Sequence, residues 1–449
     1  MTPMQVPWWS VLPFATMLLC IAIAPLVPSL AHHWEKPRTQ LGVAMLLGLP
    51  VVAWVWLSGH PHLVVHAVEE YVSFICLLGS LFVISGGIHL AGDIRATPRN
   101  NTIFLAIGAV LASFIGTTGA AMLLIRPLLN TNKERKYAMH TIVFAIFVVA
   151  NCGGLLTPLG DPPLFLGMLR GVPFTWTFNL FPEWLFINVL LLAAHHGMDH
   201  MFYAREDKAH LERDRTEVVP LKLYGAWQLI LLAGVVASVA YLSTPWREIA
   251  MIALSAISWF AGSREVRMKL NEFSWAPILE VAALFLGIFA TMITALQYLG
   301  SLAPKLPLNE ITFYLFSGGL SAVLDNAPTY ATFFELASKL PGDPRVAGVP
   351  ELYLVAISLG AVTCGAMTYI GNGPNFMVRS VAEEAGREMP SFGGYIVWSL
   401  RELAPVLAAM VLVFIADPLW AHILGWVLAV AILGLAAVRT LTGRKAVAA

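Results

Sequence analysis

Charge is scarce in this 449-residue chain: Asp, Glu, Lys and Arg make up 12% of it, against roughly a quarter in ordinary soluble domains. That shortfall excludes a solvated surface over most of the polypeptide. Lys and Arg total 27, as do Asp and Glu, so no net charge points to nucleic acid and no such partner is expected. Cysteine is rare too. Cys20, Cys76, Cys152 and Cys364 sit in apolar runs without CxxC spacing, which argues against a disulfide framework or a cysteine zinc site. No Lys or Arg occurs before Lys36, so residues 9–30 lack the basic lead of a cleaved signal and read as a retained helix.

What fills the chain is hydrocarbon: 58% hydrophobic residues and a mean hydropathy of +0.74. Uncharged stretches such as 71–92, 137–160, 223–246, 281–304 and 418–438 recur along it. Each is near the ~20 residues that an α-helix needs to cross hydrocarbon. The expected fold is an all-α, multi-pass membrane protein of about 11 spans, near 9–30, 39–59, 69–92, 138–168, 178–198, 223–244, 248–262, 276–300, 351–378, 395–416 and 418–438. Two more apolar segments, 101–129 and 310–338, are interrupted by "GTTGAA" and "LDNAPT" and read as re-entrant helical hairpins. This threading gathers most of the basic residues on one face and leaves Arg126 and Arg401 within or at the edge of the bilayer. The positive-inside rule makes the basic face cytoplasmic, with the N-terminus outside and the C-terminus inside an inner (cytoplasmic) membrane. Trp8, Trp9, Trp34, Trp176, Trp184, Trp246 and Trp275 fall near span ends and read as an interfacial belt.

The polar segment "REDKAHLERDRTEVVPLK" (205–222) reads as a solvated cytoplasmic linker. It divides the chain into a first repeat with its N-terminal helix (1–203), a linker (204–222), a second repeat (223–416) and a C-terminal helix and tail (417–449). The halves match at an offset of about 210 residues: Arg38 meets Arg247, Glu70 meets Glu280, Thr117 meets Asn326 and Arg126 meets Glu335. "GLLTPLGDPPLF" (154–165) meets "GAMTYIGNGPNF" (365–376). The threading gives the copies opposite orientation, an inverted-topology repeat with a hairpin and a discontinuous helix in each half. Paired Gly/Pro-interrupted segments of this kind mark the binding site of a secondary transporter, because lipid cannot satisfy unwound backbone.

Asp161 and Asp325 stand at such breaks, and an intramembrane carboxylate is a functional-site expectation. Asn326, Asn372, Thr117, Thr118 and Thr157 add the hard oxygen donors that a small cation such as Na+ needs. The plainer reading is that both aspartates cap helices. Arg126, Asn151, Asn375 and Glu335 are candidates for contact with a substrate, although Arg126 and Glu335 also read as structural ion-pairing groups. Glu70 and Glu280 begin long helices and read as interfacial, with a proton relay as the alternative. "HHGMDH" (195–200) offers His195, His196, Asp199 and His200; at the cytoplasmic boundary it reads as a solvated cluster rather than a ligand site.

"SAVLDNAPTYATF" (321–333), "GGLLTPLGDPPLFLG" (153–167) and "GNGPNFMV" (371–378) resemble the ion transporter superfamily, nearest its bacterial branch of citrate-transporter-like and sodium:proton-antiporter proteins. The resemblance spans residues 35 to 416. It implies two inverted repeats, a homodimer, and a scaffold beside a transport domain that moves as an elevator. By motif match it implies a cation and substrate site at Thr117, Thr118, Asp161, Asp325, Asn326 and Asn372. Sodium-coupled dicarboxylate members carry Ser-Asn-Thr at both tips; here the tips read "GTTG" and "DNAP", so that mode of carboxylate binding does not carry over by motif. The expected function is sodium (cation):proton antiport. The alternative is Na+- or H+-coupled transport of citrate or another organic anion. No cofactor is expected beyond Na+ as transported or coupling ion. An intramembrane aspartyl protease, the remaining way to use two aspartates, has no use for a second break carrying Asn372.

Overall fold

The computed structural model describes residue 4 and residues 6–34, 36–216 and 218–448. The chain is almost wholly helical. Among the described residues, six helices are long and apolar enough to cross a membrane: Pro37–Leu57, Pro61–Ser85, Phe174–Tyr203, Ala276–Lys305, Phe392–Ile415 and Leu419–Ala446. Shorter apolar helices cover Trp8–Ile23, Met139–Leu155, Gln228–Tyr241 and Glu351–Met367. Each of these overlaps one of the apolar stretches read as spans in the sequence, and Trp246–Ala261 overlaps another. Boundaries moved where polar residues ride on a helix. Pro61, at a first helical position where its missing N–H costs nothing, starts the third span before His62, His66 and Glu70. The last helix continues through Arg439, whose guanidinium reaches Glu402 at 3.1 Å.

Both interrupted segments fold as helix pairs. Thr97 caps Pro98–Ile115 by accepting from the Asn100 N–H, and Gly116 at φ +81° turns the chain into Thr117–Thr131, a conformation that favours glycine. In the second pair, Asn309 and Thr312 close a capping box on Glu310–Ser321, leading through a short turn to Asn326–Ser338. The two helices expected to break do so. Met139–Val148 gives way to irregular backbone before Pro162–Leu169, and Glu351–Cys364 does the same before Gly373–Glu384.

The packing is reciprocal. Thr117–Thr131 of the first hairpin lies on Gly373–Glu384 from the second half, while Asn326–Ser338 of the second hairpin lies on Pro162–Leu169 from the first. Helices Leu12–Ile23, Pro37–Leu57, Pro61–Ser85, Gln228–Tyr241, Trp246–Ala261 and Ala276–Leu302 pack among themselves as a second bundle beside these elements.

The 205–222 segment is largely exposed, as expected of a linker, but it is anchored at two points: Glu206 and Asp214 are buried and accept from the backbone N–H groups of Lys136, Tyr137 and Ala96. Lys222–Tyr224 pairs antiparallel with His89–Ala91. Two expectations need correction. The 195–200 cluster is buried in part. Asp199 and His195 are fully enclosed, with Asp199 Oδ1 held by Arg135 at 2.7 Å and by His140 at 3.0 Å. Ligand atoms of His140, His195 and Asp199 lie within 4.8 Å of one another, but the Arg135 guanidinium already supplies the positive charge that a metal ion would bring. Finally, Trp34, Trp176 and Trp184 are buried rather than interfacial. Their enclosure is paired with hydrogen bonds where the indole needs one: Trp176 donates to Glu351, and Trp184 to the Gly153 carbonyl.

Candidate functional site

Asp161 is the centre. It occupies the cap position of Pro162–Leu169, yet its side chain makes no capping bond; it turns inward and is 1% exposed. Oδ1 accepts from Thr117 Oγ1 at 2.9 Å and from Asn372 Nδ2 at 3.2 Å, and Oδ2 accepts from Asn326 Nδ2. Thr117 and Asn326 are paired by the sequence offset of about 210 residues, as are Asp161 and Asn372. Two such pairs thus converge on one point, and only one of the four residues is a carboxylate.

Asn372 also donates to Asn151 Oδ1 at 3.1 Å, Asn151 to Asn375 Oδ1 at 2.7 Å, and Asn375 to the Gly365 and Thr368 carbonyls. This amide chain ties both broken helices together. Asn326 is fully buried and its Oδ1 has no partner. Burying an unsatisfied acceptor costs about 1–3 kcal/mol, so an oxygen left free beside a carboxylate is a ready ligand for a cation. The hairpin tip is also fixed to the break by backbone, since the Thr117 N–H donates to the Gly160 carbonyl at 2.8 Å.

Asp325 takes the plainer role. Its side chain accepts from the Ala327 N–H at 3.0 Å, capping Asn326–Ser338. Thr157 is likewise diverted. Its hydroxyl donates to the Ser113 carbonyl and accepts from the Leu159 N–H, and Thr368 does the same with Ala322 and Ile370. These are matched staples between each hairpin and its broken helix. Sequence reasoning missed Ser113 and Ser321, which brace the same junctions; their spacing, close to the repeat offset, was the available signal.

A cavity of about 100 Å³ meets Asp161, Thr117, Thr118, Gly373 and Pro374, and no Lys or Arg lines it. It shares Thr118, Gly119 and Met377 with a second space of about 280 Å³. That space in turn shares Arg126, Glu272 and Glu384 with an open vestibule of about 880 Å³, which also meets Lys133 and Arg387. Arg126 therefore lines the two outer spaces and not the Asp161 cavity, and pairs with Glu272 at 2.9 Å. Glu335 lies apart, bound to Lys339.

Glycine makes the break possible. A Cβ on Gly160 would stand 2.1 Å from the Gly154 carbonyl oxygen, whereas one on Gly373 would meet nothing within 4 Å. Gly160→Ala should therefore destabilise the protein by more than the roughly 1–3 kcal/mol of ordinary overpacking, read as a lower unfolding midpoint in detergent. Gly373→Ala should leave that midpoint unchanged.

Comparison with known proteins agrees with this architecture. A family described as "Putative citrate transport" matches residues 3–415. An uncharacterized transporter of Mycobacterium tuberculosis is 24% identical over 440 residues, covering 90% of this chain and 98% of that protein; its counterpart in Mycobacterium bovis matches equally. The P protein of Mus musculus is 27% identical over 195 residues, 40% of this chain and 23% of that protein.

Proposed function

The chain belongs to the family described as "Putative citrate transport", and from that premise we propose that this membrane transporter exchanges a monovalent cation, Na+ or Li+, for protons at Asp161. The observation that carries the reading is one carboxylate surrounded by neutral donors from both halves, beside an unpartnered amide oxygen, in a cavity without a basic residue.

Magnitudes favour exchange. Three hydrogen bonds to a charged group contribute about 1.5–3 kcal/mol each, while burying the ion costs several kcal/mol. The ionised form is poised rather than secured, so a proton or a cation completes it and the two compete. The hairpins are re-entrant and the halves inverted repeats, with the N-terminus outside and the C-terminus cytoplasmic. The hairpins and broken helices (within 98–169 and 310–384) move as a transport domain against the bundle of Pro37–Leu57, Pro61–Ser85, Trp246–Ala261 and Ala276–Leu302, in a homodimer. The vestibule beside Lys133 and Arg387 supports a conformation open to the cytoplasm.

Purified protein in proteoliposomes with an imposed pH gradient should give Na+- or Li+-dependent dequenching of a pH dye. No response in the wild-type protein rejects antiport. The family description and the basic vestibule favour one other reading, coupled uptake of citrate or a related anion through Arg126. Na+- or H+-dependent accumulation of labelled citrate, lost in Arg126→Ala, would establish that instead.

A further inference from the structure

Three arginines are buried among the described residues: Arg135, Arg247 and Arg267. Arg135 meets Asp199, and Arg247 meets Glu248 at 2.6 Å. Arg267 has no such partner. Its Nη2 donates to the carbonyl and hydroxyl of Ser258 at 3.1 and 2.9 Å, while Nε and Nη1 have no acceptor. Burial alone pushes its pKa down, with no carboxylate near enough to raise it. Beside it lies Gln228, fully buried, with neither amide atom partnered. The two side chains meet over a pair of glycines: a Cβ on Gly87 would stand 2.5 Å from Gln228 Nε2 and 2.9 Å from Arg267 Nη2, and one on Gly262 would stand 2.7 and 3.4 Å from the same atoms.

A guanidinium stays charged at any physiological pH. Leaving it desolvated costs several kcal/mol. The rings that cover it, Trp259 at 4.8 Å and Phe273 at 5.8 Å, return about 0.5–2 kcal/mol each through cation–π attraction. The balance is short, and the neighbouring polar group adds another donor rather than a carboxylate. Trp259 and Phe273 are themselves half-buried, so the guanidinium lies one side-chain layer below the surface. The surroundings fit a membrane boundary. Trp275 is exposed and stacks into the same aromatic group, and Arg264 and Lys269 flank the turn, on the face that the positive-inside rule makes cytoplasmic.

We propose that Arg267 and Gln228 form an anion site for a phosphate group beneath Trp259 and Phe273, with the headgroup of an acidic phospholipid as its source in the membrane. Basic groups at the cytoplasmic boundary attract anionic lipid, and guanidinium matches phosphate through paired N–H donors, the two that Arg267 leaves free. The site is separate from Asp161 and does not depend on which ion is carried.

The test is binding to the full-length protein in neutral detergent, with dihexanoyl-phosphatidylglycerol, dihexanoyl-phosphatidylcholine and inorganic phosphate as probes. Wild-type protein should show a raised unfolding midpoint and quenched Trp fluorescence with phosphatidylglycerol and not with phosphatidylcholine. Arg267→Gln should weaken that binding at least tenfold, Gln228→Ala severalfold, and Arg264→Gln little. A response to inorganic phosphate alone keeps the site and makes free phosphate its ligand. Should Arg267→Gln fail to fold, Gln228→Ala decides by its Trp titration. No response to either phosphate probe in wild-type protein, or equal responses in wild type and Gln228→Ala, overturns the proposal.

Discussion

Asp161→Asn should abolish ion-coupled transport in a protein that still folds. The substitution keeps the side chain's size, so the packing around Pro162–Leu169 survives. It removes the one titratable group that the Asp161 cavity shares with both halves of the chain. It also turns an amide N–H towards Asn326 or Asn372, both of which already present donors there. The loss of a charged ligand worth about 3 kcal/mol corresponds to roughly a 100-fold fall in cation affinity. Direct binding of labelled Na+ by purified protein, together with pH-dye flux at matched reconstitution, reads both parts. Asp325→Asn is the sharp contrast. Asn is as good a helix cap as Asp, and the Asp325 carboxylate is spent on the Ala327 N–H, so this variant should keep most of its flux. Equal losses in the two variants would mean that the aspartates act as a pair.

That asymmetry was hidden in the sequence, where both aspartates stand at equally irregular points. Breaks were legible because Gly and Pro act locally: "TPLGDPP" and "TYIGNGP" cannot continue a helix whatever surrounds them. The meeting of Thr117, Asp161, Asn326 and Asn372 was legible because the sequence offset sets matching breaks in both halves, and irregular backbone in lipid must face protein or a cavity. What each polar atom does once there is decided at the scale of a single rotamer. Thr157 sits in the same break as Asp161, and nothing in its neighbours reveals that its hydroxyl goes to Ser113. Arg126 and Glu335 match in sequence, but Glu272 and Lys339 are within reach of them and they are not within reach of each other. His195 and Asp199 looked solvated because their enclosure depends on Arg135 and Asn101, which come from other segments of the chain.

If the transport domain moves as proposed, Glu70→Gln should shift the balance between its two facings more than any other change outside the Asp161 cluster. Arg170 stands at the end of Pro162–Leu169. Its Nε and Nη2 reach the Glu70 carboxylate at 3.0 and 3.3 Å, and its Nη1 reaches the Ala331 carbonyl of the second hairpin at 3.1 Å. Glu70 belongs to Pro61–Ser85 in the other bundle, so this one guanidinium joins three elements across the seam between the bundles. Its side chain is 10% exposed and that of Glu70 is 7% exposed. Breaking one partner of such a pair costs about 3–5 kcal/mol, because it strands a buried charge. The pair on the vestibule side, Arg126 with Glu272, is 37% and 67% exposed and contributes about 0–1 kcal/mol. Under the proposed elevator movement, the observed conformation is thus held firmly by the Arg170 pair and only lightly by the pair on the vestibule side. Loss of about 3 kcal/mol from the Arg170 pair alone changes the ratio of facings roughly 100-fold. A single reporter, Thr118→Cys on the wall of the space of about 280 Å³ next to the vestibule, can follow it with an impermeant thiol reagent once Cys20, Cys76, Cys152 and Cys364 are replaced by Ser. Labelling from the vestibule side should fall severalfold in Glu70→Gln. Adding Arg170→Gln removes the stranded charge and should recover part of the labelling, since deleting both partners costs less than deleting one. If labelling in Glu70→Gln stays at the wild-type rate, the pair holds the fold and not the facing.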